Sequence, residues 1–255
     1  MSPPLHFGYP RFDFDRVEST MTEASLCAEA GAEEGTIVIA DHQTEGRGRL
    51  GRLWISEPGM GLYFSLVLRP STSPERAAVL TLAMGLGVAR GLAEASGSVF
   101  DIRWPNDVLL NGKKCCGILV ETVADVKLIR YAVVGVGINV NQRNMPEKIA
   151  ANATSLRADT GHSFDKEAVL DAVLCSLEVY YVLFCEQGAS AIIEAFSKAS
   201  SYVSGKSVRV DAPSGAIYGV TAGLDDSGVL LLSKQDGSIE PILAGSVRPW
   251  PQQRC

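Results

Sequence analysis

The chain changes texture once, near Tyr202, and that change divides it into two parts of different architecture. Up to that point apolar residues recur at two alternating periods. After Gly205 the helical period is gone, and short apolar runs alternate with turn-forming clusters. These later runs, Ser207 to Val210, Ala216 to Leu224, Val229 to Leu232 and Ile239 to Ile242, are cut by Pro-Ser-Gly, Asp-Asp-Ser-Gly and Asp-Gly-Ser. Such a segment predicts a small β-barrel or sandwich. Its charges cancel: Lys206, Arg209, Lys234, Arg248 and Arg254 stand against Asp211, Asp225, Asp226, Asp236 and Glu240.

The longer part begins with a strand, Phe12 to Val17, a helix from about Met21 to Ala30, and a β-branched strand, Thr36 to Ala40. A polar, Gly-rich stretch runs from Asp41 to Arg52 and leads to a strand at Gly61 to Leu68. Pro74 to Ala95 reads as a long helix opened by Pro-Glu. Strands follow at Phe100 to Trp104, Val108 to Leu110, Cys116 to Val123 and Leu128 to Val140, then helices at Lys166 to Glu186 and Ser190 to Ala199. The pattern predicts an α+β domain over residues 1–201, a mixed or antiparallel sheet packed with helices. A small β-barrel over 202–255 completes it.

Several partners are disfavoured. The net charge of −6, all of it on the longer part, argues against a general nucleic-acid binder. The most apolar run, Ala77 to Ala89, has 13 residues between Arg76 and Arg90. That is short of the roughly 20 needed to cross a bilayer, so no membrane partner is expected. The first residues, with His6, Arg11 and acids, lack the apolar centre of a signal peptide. Six cysteines (27, 115, 116, 175, 185 and 255) show no CxxC spacing. Thiols used as small apolar residues in a reducing cytoplasm fit them best.

Four segments carry candidate chemistry. In Glu45-Gly46-Arg47-Gly48-Arg49-Leu50-Gly51-Arg52-Leu53-Trp54 the glycines spell GxGxxG. A dinucleotide fingerprint should open a helix, whereas here Pro58, Gly59 and another strand follow. What remains is an anion-wrapping loop: glycine permits close backbone approach, and arginine offers a planar fork for phosphate or carboxylate. A solvated surface loop is the alternative. Second, Trp104-Pro105-Asn106-Asp107 closes a strand in a tight turn, and Asn111-Gly112 predicts a hairpin turn into Lys113-Lys114-Cys115-Cys116-Gly117. Adjacent strand residues point to opposite faces, so only one of the two lysines can face a pocket. Third, Gly135-Val136-Gly137 inside an apolar strand marks close approach of a backbone or a ligand, or tight packing. Fourth, Thr20 with Glu23 forms a capping box, and a helix start also suits an anion.

Together these segments resemble the biotin–protein ligase family. GRGRLGRLW after Gln43, RWPNDV, KKCCGILVE and GVGINVN stand in that family's order and spacing, over about Glu18 to Asn141. The resemblance implies a class II synthetase-like core with a Src-homology-like C-terminal barrel. It implies biotin and ATP as substrates, with Mg²⁺ expected, giving biotinyl-5′-AMP and pyrophosphate. The biotin then passes to a lysine of a biotin carboxyl carrier protein of the acetyl-CoA carboxylase type. The implied catalytic residues are Arg47, Arg49, Lys114 and Asp107; Asp107 orients either the nucleophile or a Mg²⁺ ion. The implied biotin contacts are Ser19, Thr20, Met21, Gln43, Gly46, Arg47, Gly48, Arg49, Lys114 and Gly117. The implied adenylate contacts are Arg47, Arg49, Trp54, Asn106, Lys114 and Asn139. Lys114 is preferred to Lys113 because the family's lysine lies three residues before the Gly of GILVE.

Three departures stand out. Met21 replaces the family's usual Asn, Arg103 replaces the more frequent Lys, and Cys115-Cys116 fills positions usually held by small apolar residues. Only about a dozen residues precede the first strand, too few for the DNA-binding domain that some members carry, so no nucleic-acid partner is expected. Family members often form homodimers through the main sheet, a further expectation. The rival readings are a lipoate or octanoate ligase of the same fold and a biotin sensor without turnover.

Overall fold

A computed structural model describes residues 7–250; His6, Arg254 and Cys255 of the reading above lie outside the described residues. A seven-stranded mixed sheet forms the larger part. Its strands are β1 (Arg11–Val17), β2 (Ile37–Gln43), β3 (Gly61–Leu68), β4 (Phe100–Arg103), β5 (Asp107–Leu110), β6 (Lys113–Ala124) and β7 (Ile129–Asn139), in the order β1-β2-β3-β7-β6-β5-β4. Only β1 and β2 run parallel; the other neighbours are antiparallel.

Strand alternation gives the sheet two unlike faces. Even-numbered residues of β3 and β7, among them Phe64, Leu66, Val134 and Val136, join a core with two long helices, α2 (Ala77–Ser96) and α5 (Lys166–Ala199). The odd-numbered Val67, Tyr131 and Val133 pack instead under α1 (Thr20–Glu29), through Met21, Ala24 and Ala28. Two short helices, α3 (Glu147–Ala150) and α4 (Leu156–Thr160), fill the connection from β7 to α5 and were not foreseen. Within α5, Gly188 takes φ 74° and ψ −162° and breaks the run, which preserves the expected pair of helices.

Pro74–Ser96 and Lys166–Ala199 are each long and apolar enough, by length and composition, to cross a bilayer, contrary to the sequence count. Counting uninterrupted runs missed them because single charged residues punctuate each helix. In this fold, 67% of the most apolar stretch of the first and 44% of the second are buried within the protein.

The C-terminal part is a five-stranded antiparallel sheet of β8 (Ser204–Ala212), β9 (Gly215–Leu224), β10 (Leu230–Ser233), β11 (Ile239–Ile242) and β12 (Ser246–Pro249). Its order is β11-β10-β9-β8-β12, and among the described residues no pairing of β11 with β12 closes it, so the sheet is open rather than a barrel. It docks on the larger part through Trp104, whose indole Nε1 donates to the Gly228 carbonyl at 3.0 Å.

One irregularity positions the site. The Asn111-Gly112 turn, with φ of 48° and 77°, closes the β5–β6 hairpin as expected. Lys114 then pairs with Leu109 and Cys116 with Val108, leaving Cys115 as an extra residue in a β-bulge. Cys115 and Cys116 are both fully buried. The bulge thus accounts for adjacent apolar residues on a strand that otherwise alternates.

Candidate functional site

The site is a hollow in the α1 face of the sheet. Along β7, the residues facing that side run Tyr131, Val133, Gly135, Gly137, so large side chains give way to none. Beside Gly137 on β6 lies Gly117, its register partner. The cleft above them is bordered by Thr20, Gln43, Arg47, Arg49, Trp54 and Lys114.

Glu45 to Trp54 closes over this hollow as a tight hairpin. Trp54 N–H donates to the Gly46 carbonyl at 2.8 Å and Gly48 N–H to the Arg52 carbonyl at 2.7 Å. Leu50 and Gly51 make the reversal at φ 58° and 69°. The indole of Trp54 is thereby laid on the two glycines: a Cβ at Gly137 would stand 2.7 Å from Trp54 Cζ2, and one at Gly117 2.9 Å from Trp54 Cζ3. No other residue type fits at Gly137 without moving the ring. The Trp54 indole N–H is buried and has no acceptor among the described residues, so an acceptor brought by a ligand would satisfy it.

Three cations line the cleft. Lys114 Nζ lies 5.4 Å from the Trp54 ring centroid, within cation–π range, and 2.5 Å from the Asp107 carboxylate. Arg103 binds the other Asp107 oxygen at 2.7 Å. Burial pushes the Asp107 carboxyl up, but Lys114 and Arg103 outweigh it and hold the group below its ordinary value. Arg49 donates to Asn106 Oδ1 at 2.9 Å, and Asn106 in turn donates to the Ile118 carbonyl at 2.7 Å. Burial lowers the Arg49 guanidinium, with Asp107 opposing, yet an arginine stays charged. Arg47 reaches Glu121 at 3.2 Å on the rim. Lys113, one residue from Lys114, is exposed.

The opposite end is polar. Gln43 Oε1 accepts from Thr20 N–H at 2.9 Å and from the Thr20 hydroxyl at 3.1 Å, which also meets Ser65 Oγ at 2.8 Å. With its carbonyl so committed, the Gln43 amide keeps its NH₂ donors for another acceptor.

Most sequence-predicted residues converge, with corrections. Ser19, not Thr20, caps α1, accepting from Met21 N–H at 3.3 Å, so the Thr20–Glu23 capping box does not form. Thr20, the first helical residue, turns its hydroxyl to Gln43 and Ser65 instead. Gly46 lies at the base of the hairpin. Met21 packs its thioether against Gly135. Asn139 does not line the cleft: its amide donates to the Thr154 carbonyl at 2.9 Å. It braces the segment whose Asn152 carbonyl and Thr154 N–H bracket the Lys114 backbone at 2.8 and 2.9 Å. Sequence reasoning missed Ser65, Phe64 and Leu119, and it left Gly135 and Gly137 unassigned because their shared face shows only in the register.

The described residues hold no cluster of three or more His, Cys, Asp or Glu able to cage a metal. Asp107, the expected candidate, is engaged by two cations. These residues do not fit a resident Mg²⁺; such an ion would arrive on the phosphates of a nucleotide substrate. A hollow with three cations above a glycine floor can instead bring two anions together.

Comparison with known proteins bears on which anions. Residues 14–139 match the biotin/lipoate A/B protein ligase family, and residues 203–248 match the biotin protein ligase C terminal domain. The chain is 39% identical over 225 residues to the bifunctional ligase/repressor BirA of Bacillus subtilis, covering 88% of this chain and 69% of that protein. It is 32% identical over 222 residues to the biotin–[acetyl-CoA-carboxylase] ligase of Paracoccus denitrificans, covering 85% and 91%. The biotin protein ligase of Aquifex aeolicus in complex with biotin and ATP superposes with a TM-score of 0.80 at 35% identity, over 95% of this chain and 100% of that one.

Proposed function

The chain belongs to the biotin/lipoate A/B protein ligase family, and on that premise we propose that it is a biotin–protein ligase. A biotin carboxylate oxygen attacks the α-phosphorus of ATP, the bond to the β-phosphate oxygen breaks, and pyrophosphate leaves. The resulting biotinyl-5′-AMP acylates the amine of a lysine on a biotin carboxyl carrier domain and releases AMP. The observation that carries this reading is the meeting of Lys114, Arg47 and Arg49 over the Gly117–Gly137 floor.

Each residue has a physical task there. Two anions must approach against their mutual repulsion, and preorganised cations lower that barrier. Lys114 bridges carboxylate and phosphate as charge shifts between them, while Arg47 and Arg49 neutralise the remaining oxygens. Asp107 and Arg103 position Lys114, and Asn106 positions Arg49. Thr20 and Gln43, supported by Ser19 at the cap, bind the polar groups of biotin. Trp54, seated on Gly117 and Gly137, forms one wall of the biotin site and offers its free N–H. Mg²⁺ accompanies ATP as part of the substrate. We assign this chemistry to residues 1–201 and treat 202–255 as a separate small domain. The described cysteines, Cys27, Cys115, Cys116, Cys175 and Cys185, are all unpaired, which suits the cytoplasm.

The test is acid-dependent ATP–pyrophosphate exchange, with biotin, lipoate and octanoate in parallel. Exchange with biotin alone is expected. Exchange with lipoate or octanoate instead would assign the sister specificity, and binding of biotin without exchange would make the protein a sensor.

A further inference from the structure

Tyr63 on β3 stands in register with Gly137 of β7 on one side and with Ala40 of β2 on the other, so its side chain leaves the sheet on the face of the floor glycines. An upright tyrosine there would crowd the hollow. The ring instead lies back along its own strand over Gly61, where a Cβ would collide with it. Tyr63 is fully buried, and its hydroxyl ends beneath the point where the hairpin loop returns to the sheet. That hydroxyl accepts from Glu57 N–H at 3.0 Å and from Gln142 Nε2 at 3.3 Å, and it donates to the Glu57 carbonyl at 3.2 Å. Burial pushes the phenol up, with bonds to the Glu57 backbone and to Ser56 opposing, so the group keeps its proton and can both donate and accept. Beside it, Ser56 Oγ accepts from Gln43 N–H at 2.9 Å.

The two ends of the loop are held differently. At its start, Thr44 N–H and Glu45 N–H donate to the Val17 and Glu18 carbonyls at 3.0 and 2.8 Å. At its end, among the described residues, no backbone-to-backbone hydrogen bond fastens Ile55 or Ser56; the hydroxyls of Ser56 and Tyr63 take that place. Resting on the ligase reading, we propose that Tyr63, acting through Ser56 and Glu57, is a positioning residue for biotin capture: its hydroxyl clasps the returning end of the loop and so sets Gln43 and Trp54 against the hollow. The clasp is mounted on a firm frame. Asn141 N–H holds the Met60 carbonyl at 2.7 Å, across the turn from Glu57, and Ser155 Oγ holds the Gln142 carbonyl at 2.6 Å. The attachment point is thus tied to β3 and to the exit of β7, while Leu50 and Leu53 at the loop tip are exposed. Gln43 meets Ser56 directly and Trp54 lies two residues before it, so release of the clasp loosens the biotin end of the cleft first. Asp107 and Lys114 are carried by β5 and β6, outside its reach.

The test separates a clasp from general packing. Tyr63→Phe keeps the ring and deletes the hydroxyl; Ser56→Ala deletes the second hydroxyl at a half-buried position, and Ser56→Thr keeps one there. Biotin-dependent ATP–pyrophosphate exchange gives kcat and the KM for each substrate. Trypsin cleavage at Arg47, Arg49 and Arg52, without biotin, reports on the loop directly. Tyr63→Phe and Ser56→Ala are each expected to raise the biotin KM about tenfold, with kcat and the ATP KM within about twofold of the unmodified protein and cleavage roughly fivefold faster. Ser56→Thr stays near the unmodified protein, and the double variant Tyr63→Phe/Ser56→Ala loses no more than the worse single one, since both cut the same clasp. A fall in kcat with both KM values rising alike would reveal lost packing and overturn the proposal. Unchanged biotin KM and cleavage in Tyr63→Phe and Ser56→Ala would overturn it too. Absence of exchange in the unmodified protein would refute the ligase reading itself; cleavage rates and calorimetric biotin affinity of the same variants would then decide the clasp by themselves.

Discussion

The glycine pair on β7 permits a comparison in which position, chemistry and added volume are nearly matched and only the neighbour differs. At Gly137 a Cβ would stand 2.7 Å from Cζ2 and Nε1 of Trp54. Comfortable contact begins near 3.5 Å, so the indole must retreat by about 0.8 Å or more. A rigid ring pinned between the loop hairpin and the sheet has little room to do so, and overpacking of this kind costs about 1–3 kcal/mol. At 1.4 kcal/mol per decade, Gly137→Ala weakens apparent biotin affinity roughly 5- to 150-fold. At Gly135 the corresponding Cβ would meet Met21 Sδ at 2.5 Å and Cγ at 2.9 Å. That side chain is unbranched and flexible, so it gives way for under about 1 kcal/mol. Gly135→Ala therefore weakens binding less than about fivefold. Calorimetric titration of biotin and its KM in pyrophosphate exchange measure both variants, with melting temperatures as the folding control. The reasoning fails if Gly135→Ala costs as much as Gly137→Ala, or if Gly137→Ala binds biotin like the unmodified protein.

Two further outcomes follow from the cation cluster. Lys114→Ala loses adenylation by roughly 10²- to 10³-fold, while Lys113→Ala stays near the unmodified rate in the exchange assay; equal losses would put the wrong lysine in the cleft. Asp107→Asn strands Lys114 and Arg103 and costs about 2–3 kcal/mol near neutral pH. Because the folded Asp107 titrates below the ordinary carboxyl value, its contribution to stability is full above that ordinary value. It is lost as the pH falls through the lower folded one. Urea unfolding at stepped pH should show the gap between parent and variant closing below about pH 4. A gap of constant size down to pH 2 would contradict the depressed carboxyl.

Much of this site is written in local sequence, and the rest in pairings that sequence does not display. Arg47, Arg49 and Trp54 could be assigned to one loop because glycine and arginine alternate there, and the Asn111-Gly112 turn fixed the hairpin that carries Lys114. The cap of α1 moved by one residue because Ser19 and Thr20 are both good capping residues, and only the pull of Gln43 and Ser65 on the Thr20 hydroxyl separates them. Gly135 and Gly137 acquire meaning only when β7 is paired with β6, which brings Gly117 beside them. β12 (Ser246–Pro249) escaped notice because Arg248 and Pro249 obscure its alternation, and the open edge it leaves follows from pairing alone. Asn139 was assigned to the ligand by its motif, whereas the fold uses its amide on Thr154.

The bulge at Cys115 makes orientation in β6 a matter of counting. Lys114 and Gly117 are three residues apart, an odd step that would put them on opposite faces of a regular strand. The extra residue reverses the parity between the hairpin end of β6 and its sheet-bound remainder. Deleting one cysteine would remove the bulge and set the lysine two residues from Gly117, an even step that keeps both on one face. Deleting both would turn the lysine toward the helices and away from Asp107. Substitution at those two positions is limited by both volume and polarity, since both thiols are buried. The two cysteines thus fill one strand position and one bulge position, and the face of the lysine survives the loss of the bulge but not the loss of both.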